Sequence, residues 1–435
     1  MNYIRRITDE VIDRKKEAFN AFNIVGPKGC GKTRTAKERC KTVIEFQDEE
    51  RREGYIAIAE NSPSLLLKNE KPILFDEWQD APKIWGTVRK YCDDNPEETG
   101  NIFLTGSSSK KINTPHTGTG RISEIEMFPM TMSEKGISNG KISISSLIGD
   151  EKYEIDGKIS DLKIEELIYE ICCGGWPRCL AIQNKEAKLE VAADYFRQIC
   201  NKDISAIDSI KRDPELTRLI LWSYARNIAT LAKTNVIISD VQANISASKT
   251  TIYEYIDSLR RLYVLKDIDA WTPQIRSKTA IRSSKKHIFI DPSIAIAALG
   301  IGPEYFYRDF DLFGHVFENT VIRDLLSYAQ INDARVYHYH DETDLEIDAV
   351  YQLKDGRYAL IEIKTSDAGV KSAENNLLKL SSLIHEHNLK ISANKDHPGV
   401  KYREPDVLIV ICANANMAYT TSKGVKVIPF GCIKE

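Results

Sequence analysis

The sequence contains no apolar run long enough to cross a membrane, no cysteine pair at metal-binding spacing and no large excess of charge of either sign. Its longest apolar stretches, such as VLIVICANA from Val407, fall far short of the ~20 residues that a spanning helix needs. The charged amino-terminal stretch MNYIRRITDEVIDRKKEAF does not fit a signal peptide. Nine cysteines without a CxxC spacing are typical of a reduced intracellular protein. These absences predict a soluble cytoplasmic protein with no membrane partner.

The charge and the length of the chain limit its partners and its domain count. A formal net charge of −3 and a pI near 6.3 exclude a wholly basic protein, so any nucleic acid must be contacted by a local patch. The 435 residues suffice for roughly three domains. Composition places the divisions at 1–135, 136–161, 162–300 and 301–435. The second of these is rich in Gly, Ser and Lys and is expected to be a linker or a peripheral excursion.

A glycine-rich loop near the amino terminus carries the clearest chemistry. A short apolar strand precedes it and a helix follows it, which is the context that a phosphate-binding loop requires. Lys32 is expected to neutralise the β and γ phosphates, and the Thr33 hydroxyl to ligate magnesium. The pattern GxxxxGK[ST] is matched without exception by Gly26, Pro27, Lys28, Gly29, Cys30, Gly31, Lys32 and Thr33.

Two acids follow a second apolar strand, KPILF, at Asp76 and Glu77. Carboxylates at the end of a buried strand are costly unless a positive group meets them. Beside a phosphate loop, Asp76 is expected to hold the magnesium shell and Glu77 to polarise the attacking water. The alternative is that Asp76 only caps the next turn.

A third strand, NIFLT, supplies two further candidates for the nucleotide site. Thr105 at its end, or Ser107 just beyond it, is placed to sense the γ-phosphate. Arg121 in the stretch GTGR is a candidate charge donor to the transferring phosphate, within one chain or across a subunit boundary. It is equally consistent with a surface arginine beside a glycine loop.

The runs GPKGCGKT, ILFDEWQDAP, IFLTGSSS and GRISEIEMFPMTMSE together resemble predicted AAA+-superfamily ATPases of bacteria and archaea. Those proteins carry a carboxyl-terminal domain of unknown function, and the later GGWP and FEN motifs resemble the same family. Lys28 is a departure, since the family usually has arginine there. The resemblance implies ATP binding and leaves the biological target open.

The middle of the chain predicts helices and then a winged helix. The stretch that begins ISDVQANISASK at residue 238 fits a short helix, a turn and a longer helix, and two strands around 263–268 and 287–290 would form a wing. A nucleic-acid contact is one interpretation of this pattern, and a protein-interaction module is the other. The basic residues that would contact phosphates are Lys249, Arg276, Lys278, Arg282, Lys285 and Lys286.

The carboxyl-terminal region reads as helix, three strands, helix and strand, an order that resembles the PD-(D/E)xK nuclease fold. The length of one hairpin loop decides whether it holds a site. A two-residue loop at Asp355-Gly356 would put Asp348 and Glu362 on opposite faces of the hairpin. A three-residue loop, 354–356, with its glycine left-handed in a bulge, would put them directly opposite each other, and this loop is the one expected.

On that register, two carboxylates and a lysine share one face. Asp348 and Glu362, with Glu318 from the first helix, would hold magnesium or manganese, and Lys364 would position or activate the water. Two neighbouring acids need a cation or that lysine to compensate them. The alternative is a solvated hairpin with ordinary alternating charge.

The sequence therefore predicts an α/β protein: a P-loop NTPase parallel sheet, a helical and winged-helix segment, and a restriction-endonuclease-like mixed α/β domain. The expected function is an ATP- and Mg²⁺-dependent AAA+-type ATPase acting on nucleic acid, DNA rather than RNA, with a metal-dependent nuclease-like end. The alternative is an ATP-dependent switch that binds a protein or DNA partner and has an inert terminal domain. The oligomeric state stays open.

Overall fold

The structure is a computed structural model that describes residues 2–106, 117–150, 152–208, 210–273, 284–393 and 399–435. Within these ranges no helix combines the length and the apolar character needed to cross a membrane.

The first region is built on a parallel sheet with helices around it. Its helices are α1 (Ile7–Lys15), α2 (Lys32–Lys37), α3 (Arg52–Asn61) and α4 (Lys83–Asp94). Its strands are β1 (Ala21–Val25), β2 (Thr42–Glu45), β3 (Ile73–Asp76), β4 (Ile102–Gly106) and β5 (Ile122–Glu126). The strand order is β2-β3-β4-β1-β5, all parallel.

Both faces of the sheet are buried at its three central strands, which explains why β1, β3 and β4 are mostly apolar rather than alternating. Ile73 and Phe75 pack into one hydrophobic core, while Leu74 between them packs into another on the opposite face. The carboxyl ends of β1, β3 and β4 meet at one edge, so the loops that follow them are brought together there.

The middle region is mostly helical and includes a pair of antiparallel strands. In chain order its elements are β6 (Ile142–Ser143), α5 (Ile144–Gly149), α6 (Ile164–Cys173), α7 (Lys185–Gln198), α8 (Ile204–Ala206), α9 (Pro214–Arg226), α10 (Thr234–Gln242), α11 (Lys249–Arg261), β7 (Leu265–Ile268), β8 (Lys286–Phe289) and α12 (Pro292–Leu299). A π-helical turn, Ile199–Asp203, joins α7 to α8. Helix α6 ends immediately before Gly174, whose φ of 77° suits glycine. Strand β8 pairs antiparallel with β7.

The last region has the element order expected from the sequence. Its elements are α13 (Phe310–Ala329), β9 (Arg335–His340), β10 (Glu346–Gln352), β11 (Tyr358–Ser366), α14 (Val370–Ala393), β12 (Val407–Asn414), β13 (Tyr419–Thr420), β14 (Lys426–Pro429) and β15 (Ile433–Lys434). The mixed sheet has the order β13-β14-β12-β11-β10-β9. Strand β15 leaves it to pair with β6, so residues 136–161 are tied to the end of the chain.

A buried arginine joins the three regions. Arg323 on α13 is 1% exposed, and its guanidinium bonds Asp291 at 2.8 Å and Asp324 at 2.6 Å. Asp291 also accepts a hydrogen bond from the Gly175 backbone N–H, and Asp324 accepts one from that of Met132. The carboxylates therefore link the first region, the GGWP turn and the terminal helix through one cation.

Candidate functional site

The phosphate loop lies between β1 and α2, as its sequence predicted. Gly26 and Gly31 have φ values of 144° and 112°, a backbone region that glycine tolerates. A Cβ atom on Gly26 would lie 2.3 Å from the Met127 carbonyl oxygen, so no larger residue fits. The Lys32 ammonium donates to the carbonyls of Gly26 and Pro27, at 3.0 and 2.8 Å, and thus lies along the loop.

The ends of β3 and β4 bring oxygen ligands next to this loop. The Thr33 hydroxyl donates to Asp76 Oδ1 at 2.7 Å, and the Thr105 hydroxyl donates to the same oxygen at 2.5 Å. Asp76 thus connects the phosphate loop to the neighbouring strand and does more than cap a turn. Glu77 follows in a left-handed conformation, φ 52°, and its carboxylate accepts a hydrogen bond from the Gln79 amide. This unusual backbone orients Glu77 beside the loop.

A cavity of about 590 Å³ opens over the phosphate loop, with walls from two regions. Lys32, Thr33 and Glu77 line the wall formed by the parallel sheet. The opposite wall comes from the helical region and includes Asp203, Ala206, Ile207 and Leu262. An ion pair of 2.7 Å between Lys28 Nζ and Asp203 Oδ1 joins the walls.

Two residues at this site were not found from the sequence. Asp203 lies at the end of the π-helical turn, and no local motif marks it. Arg6 is 5% exposed; it donates to the carbonyls of Cys30 and Phe128 and pairs with Glu134 at 2.9 Å. Arg6 therefore supports the phosphate loop. The charged amino-terminal sequence reads as exposed and does not mark Arg6 as a buried residue.

Arg121 does not lie at the phosphate edge. It immediately precedes β5, whose first residue pairs with Ala21 at the start of β1, whereas the phosphate loop follows the end of β1. Five strand residues separate those ends by about 16 Å. The Arg121 guanidinium instead bonds Asp93 at 2.7 Å. This geometry excludes action within the same chain, and action across a subunit boundary stays a prediction. Ser107 lies outside the described residues.

The proposed basic surface is smaller than the sequence suggested. Lys249 is exposed at the start of α11, and Lys285 pairs with Asp269 at 2.8 Å. Lys286 has no exposed side-chain surface, so the prediction that it contacts nucleic-acid phosphates is wrong. Arg276, Lys278 and Arg282 lie outside the part of the chain that the structure describes.

The hairpin of β10 and β11 has the three-residue loop. The Leu353 N–H bonds the Arg357 carbonyl at 2.7 Å, and Gly356 is left-handed with φ 88°. Pairing continues through Ala349 and Ile361, which leaves Asp348 and Glu362 as the next opposite pair. The alternation of side chains along β10 is interrupted at one point. Ile347 packs with the core under α14 rather than with Ala349, because a bulge against β9 separates Ile347 from Val350.

Lys364 forms ion pairs with both of the facing carboxylates. Its ammonium lies 3.2 Å from Asp348 Oδ2 and 2.5 Å from Glu362 Oε2. Asp348 also accepts the Ile363 N–H at 2.7 Å, and the Asn376 amide of α14 donates to Glu362 at 3.2 Å. Burial and then the charge of Asp348 raise the pKa of Glu362 to about 7, although Lys364 opposes the rise. The solvated-hairpin alternative does not describe these side chains, because Glu362 is 1% exposed.

The FEN motif contacts the middle region. Glu318 pairs with Lys286 of β8 at 2.5 Å, and Lys286 also lies 3.0 Å from Glu346. The side chain of Asn319 bonds both the N–H and the carbonyl of Phe289, at 2.8 and 2.9 Å. Burial raises the pKa of Glu318 to about 8, against the lowering effect of Lys286.

The carboxylates do not fit a metal ion as they are arranged. Their oxygens are the hard ligands that magnesium and manganese prefer. Yet ammonium groups hold the carboxylates in two separate sets, and the described residues contain no group of three or more acidic, histidine or cysteine side chains that could hold a metal ion. The sequence prediction of a ligand set formed by Glu318, Asp348 and Glu362 is thus not matched by this arrangement.

Comparison with known proteins bears chiefly on the first region. Residues 18–135 match the family model of an AAA domain. Residues 164–305 and 313–433 match two domains of unknown function, DUF8612 and DUF4143. The chain contains an AAA-type P-loop ATPase domain. Such a domain implies a nucleotide and, typically, Mg²⁺. No curated protein matches the chain.

Two solved structures share weak similarity with the chain. One is the Walker-type ATPase PABY2304 of Pyrococcus abyssi, at 13% identity and a TM-score of 0.40, over 68% of this chain and 98% of that one. The other is the Drosophila ORC bound to DNA, at 10% identity and a TM-score of 0.21, over 70% of this chain and 93% of that one. Similarity at this level does not bear on the site.

Proposed function

We propose that the chain is an ATP-hydrolysing switch in which the nucleotide phosphates control how the helical region contacts the AAA-type domain. The observation that carries this proposal is the shared cavity, because the helical region lines the same space as the phosphate loop. The Lys28–Asp203 ion pair crosses it. Phosphates bound in the loop compete with Asp203 for Lys28, so binding or release of the nucleotide changes the contact between the regions.

The residues present fit magnesium nucleotide. The Thr33 hydroxyl and the Asp76 carboxylate, 2.7 Å apart, supply the oxygen ligands that would hold Mg²⁺, which shields phosphate charge when bound. In this proposal Lys32 leaves the Gly26 and Pro27 carbonyls to neutralise the phosphates. Glu77, held by Gln79, orients and deprotonates the attacking water.

Hydrogen exchange tests the switch. The Glu77→Gln variant, which should retain ATP without cleaving it, is compared with and without Mg-ATP. Altered exchange in the turn Ile199–Asp203 and at residues 204–207 is expected, whereas the Lys32→Ala variant should show no change. If the Glu77→Gln variant binds ATP but hydrogen exchange at residues 199–207 stays the same, the proposal is contradicted.

A second candidate function is cleavage of nucleic acid, DNA rather than RNA, by the terminal domain. The observation in its favour is the hairpin register, which places Asp348, Glu362 and Lys364 together. Of the residues predicted to contact nucleic acid, Lys249 and Lys285 are the two that the structure describes as exposed. The test is incubation of the protein with plasmid, single-stranded DNA and RNA, with Mg²⁺ or Mn²⁺ and with or without ATP. Cleavage that persists in both Glu362→Ala and Lys364→Ala would rule this site out.

A further inference from the structure

Four carboxylates of the terminal domain are paired with two lysines, Lys286 and Lys364. The two ion-paired sets adjoin, because Asp348 of one acts electrostatically on Glu318 of the other, and together they form one acid cluster. The four acids are Glu318, Glu346, Asp348 and Glu362. Two negative charges are therefore left over when all four acids are ionised, so a further cation would stabilise the ionised cluster.

The two lysines reach the acid cluster from different parts of the fold. Lys364 belongs to β11 of the terminal sheet itself, whereas Lys286 comes from β8, in the middle region. The Lys286 side chain is completely buried, and its ammonium bonds two carboxylates of the terminal domain. Burial alone would lower the pKa of Lys286, but Glu318, Asp348 and Glu346 raise it overall, so this lysine is a charged group inside the cluster.

Helix α13, which carries Glu318, also binds the backbone of the strand that carries Lys286. Asn319, the neighbour of Glu318, bonds both polar backbone groups of Phe289 at the other end of β8. The adjacent side chains of Glu318 and Asn319 therefore both bind strand β8. Removal of Lys286 from the acids requires this strand to leave α13.

We propose that Lys286 is a tethered cation that closes the acid cluster to divalent metal ions as long as β8 is docked on α13. The ammonium stands in for a metal on Glu318, so that a metal ion at Asp348 and Glu362 cannot also bind Glu318. Withdrawal of β8 would leave Glu318 and Glu346 without this competitor. The inference concerns metal binding only, and it depends neither on ATP turnover nor on cleavage of nucleic acid.

The test is Mn²⁺ binding by the full chain, measured by calorimetry and by electron paramagnetic resonance of free Mn²⁺. The Lys286→Met variant should bind Mn²⁺ at least about tenfold more tightly than the wild type, a change of about 1.4 kcal/mol. The gain should disappear when Asp348→Asn is added. Lys285→Met is the matched control, because Lys285 is the exposed neighbour and forms an ion pair with Asp269; it should bind like the wild type.

A folded Lys286→Met protein with wild-type Mn²⁺ affinity would overturn the proposal, and so would an equal gain in Lys285→Met. Far-UV circular dichroism and a cooperative melt establish folding. Should Lys286→Met fail to fold, the charge-balanced double variant Lys286→Met with Glu346→Gln carries the same expectation, since it removes one charge of each sign. Unchanged affinity in that protein would equally overturn the proposal.

Discussion

Asp203 should weaken nucleotide binding, so the Asp203→Asn variant should bind ATP more tightly than the wild type. In the structure its carboxylate holds Lys28 at 2.7 Å, and Lys28 is 47% exposed. A pair this exposed contributes about 0.5 kcal/mol, which phosphate binding must displace. The carboxylate also repels the phosphates. Two unit charges about 8 Å apart in water interact by roughly 0.5 kcal/mol, and salt screens this repulsion. Together these effects give about 1 kcal/mol, or roughly fivefold in Kd.

Titration with a fluorescent ATP analogue at low and at high salt measures this effect. The gain should shrink at high salt, because both contributions are electrostatic. Asp194→Asn is the control, since Asp194 lies on α7 of the same region, 58% exposed, and is not among the residues that line the nucleotide cavity. Equal or weaker binding by Asp203→Asn, or a gain that salt does not reduce, would refute this account of Lys28 and Asp203.

Three other substitutions probe how the regions are held together, by chemical denaturation and thermal melts. Gly175→Ala should lower the unfolding free energy by about 3 kcal/mol, because the added Cβ would lie 2.4 Å from the Met130 carbonyl oxygen. The control is Gly86→Ala in α4, where a Cβ meets open space; it should raise the unfolding free energy by about 0.5–1 kcal/mol. Arg323→Met should cost about 3–5 kcal/mol, since it leaves buried carboxylates unpaired, and a loss below 1 kcal/mol would contradict its role as a joint. Burial lowers the pKa of His338 from 6.5 to about 4, so its contribution of up to about 3 kcal/mol is present above pH 6.5 and is lost as the pH falls towards 4. His338→Gln should flatten this acid-side loss of stability, and an unchanged pH profile would exclude His338 as its source.

Local patterns were enough to predict much of the fold and part of the site. The phosphate loop, the acids after β3 and the three-residue hairpin loop depend on residues close in sequence, and glycine at positions 31 and 356 adopts the left-handed backbone that their patterns imply. The order of helices and strands in the terminal region follows from periodicity in the same way.

The remaining features depend on contacts between distant segments. The position of Arg121 follows from strand order, which the stretch GTGR does not contain. Lys286 stands in a basic run and reads as a surface residue, yet its partners lie 32 and 60 residues further along the chain, as the numbering of Glu318 and Glu346 shows. Asp203 is the last residue of a π-helical turn and lines the cavity over the phosphate loop, and the local sequence does not mark that position.

The rate of ATP turnover tests the central claim most directly. The wild type should hydrolyse ATP in the presence of Mg²⁺, Lys32→Ala should lose nucleotide binding and turnover together, and Glu77→Gln should bind ATP while its turnover falls by about 100-fold or more. Lys37→Ala, on the same helix as Lys32 but paired with Glu45, should resemble the wild type. Turnover within about twofold of the wild type in either Lys32→Ala or Glu77→Gln would contradict the account.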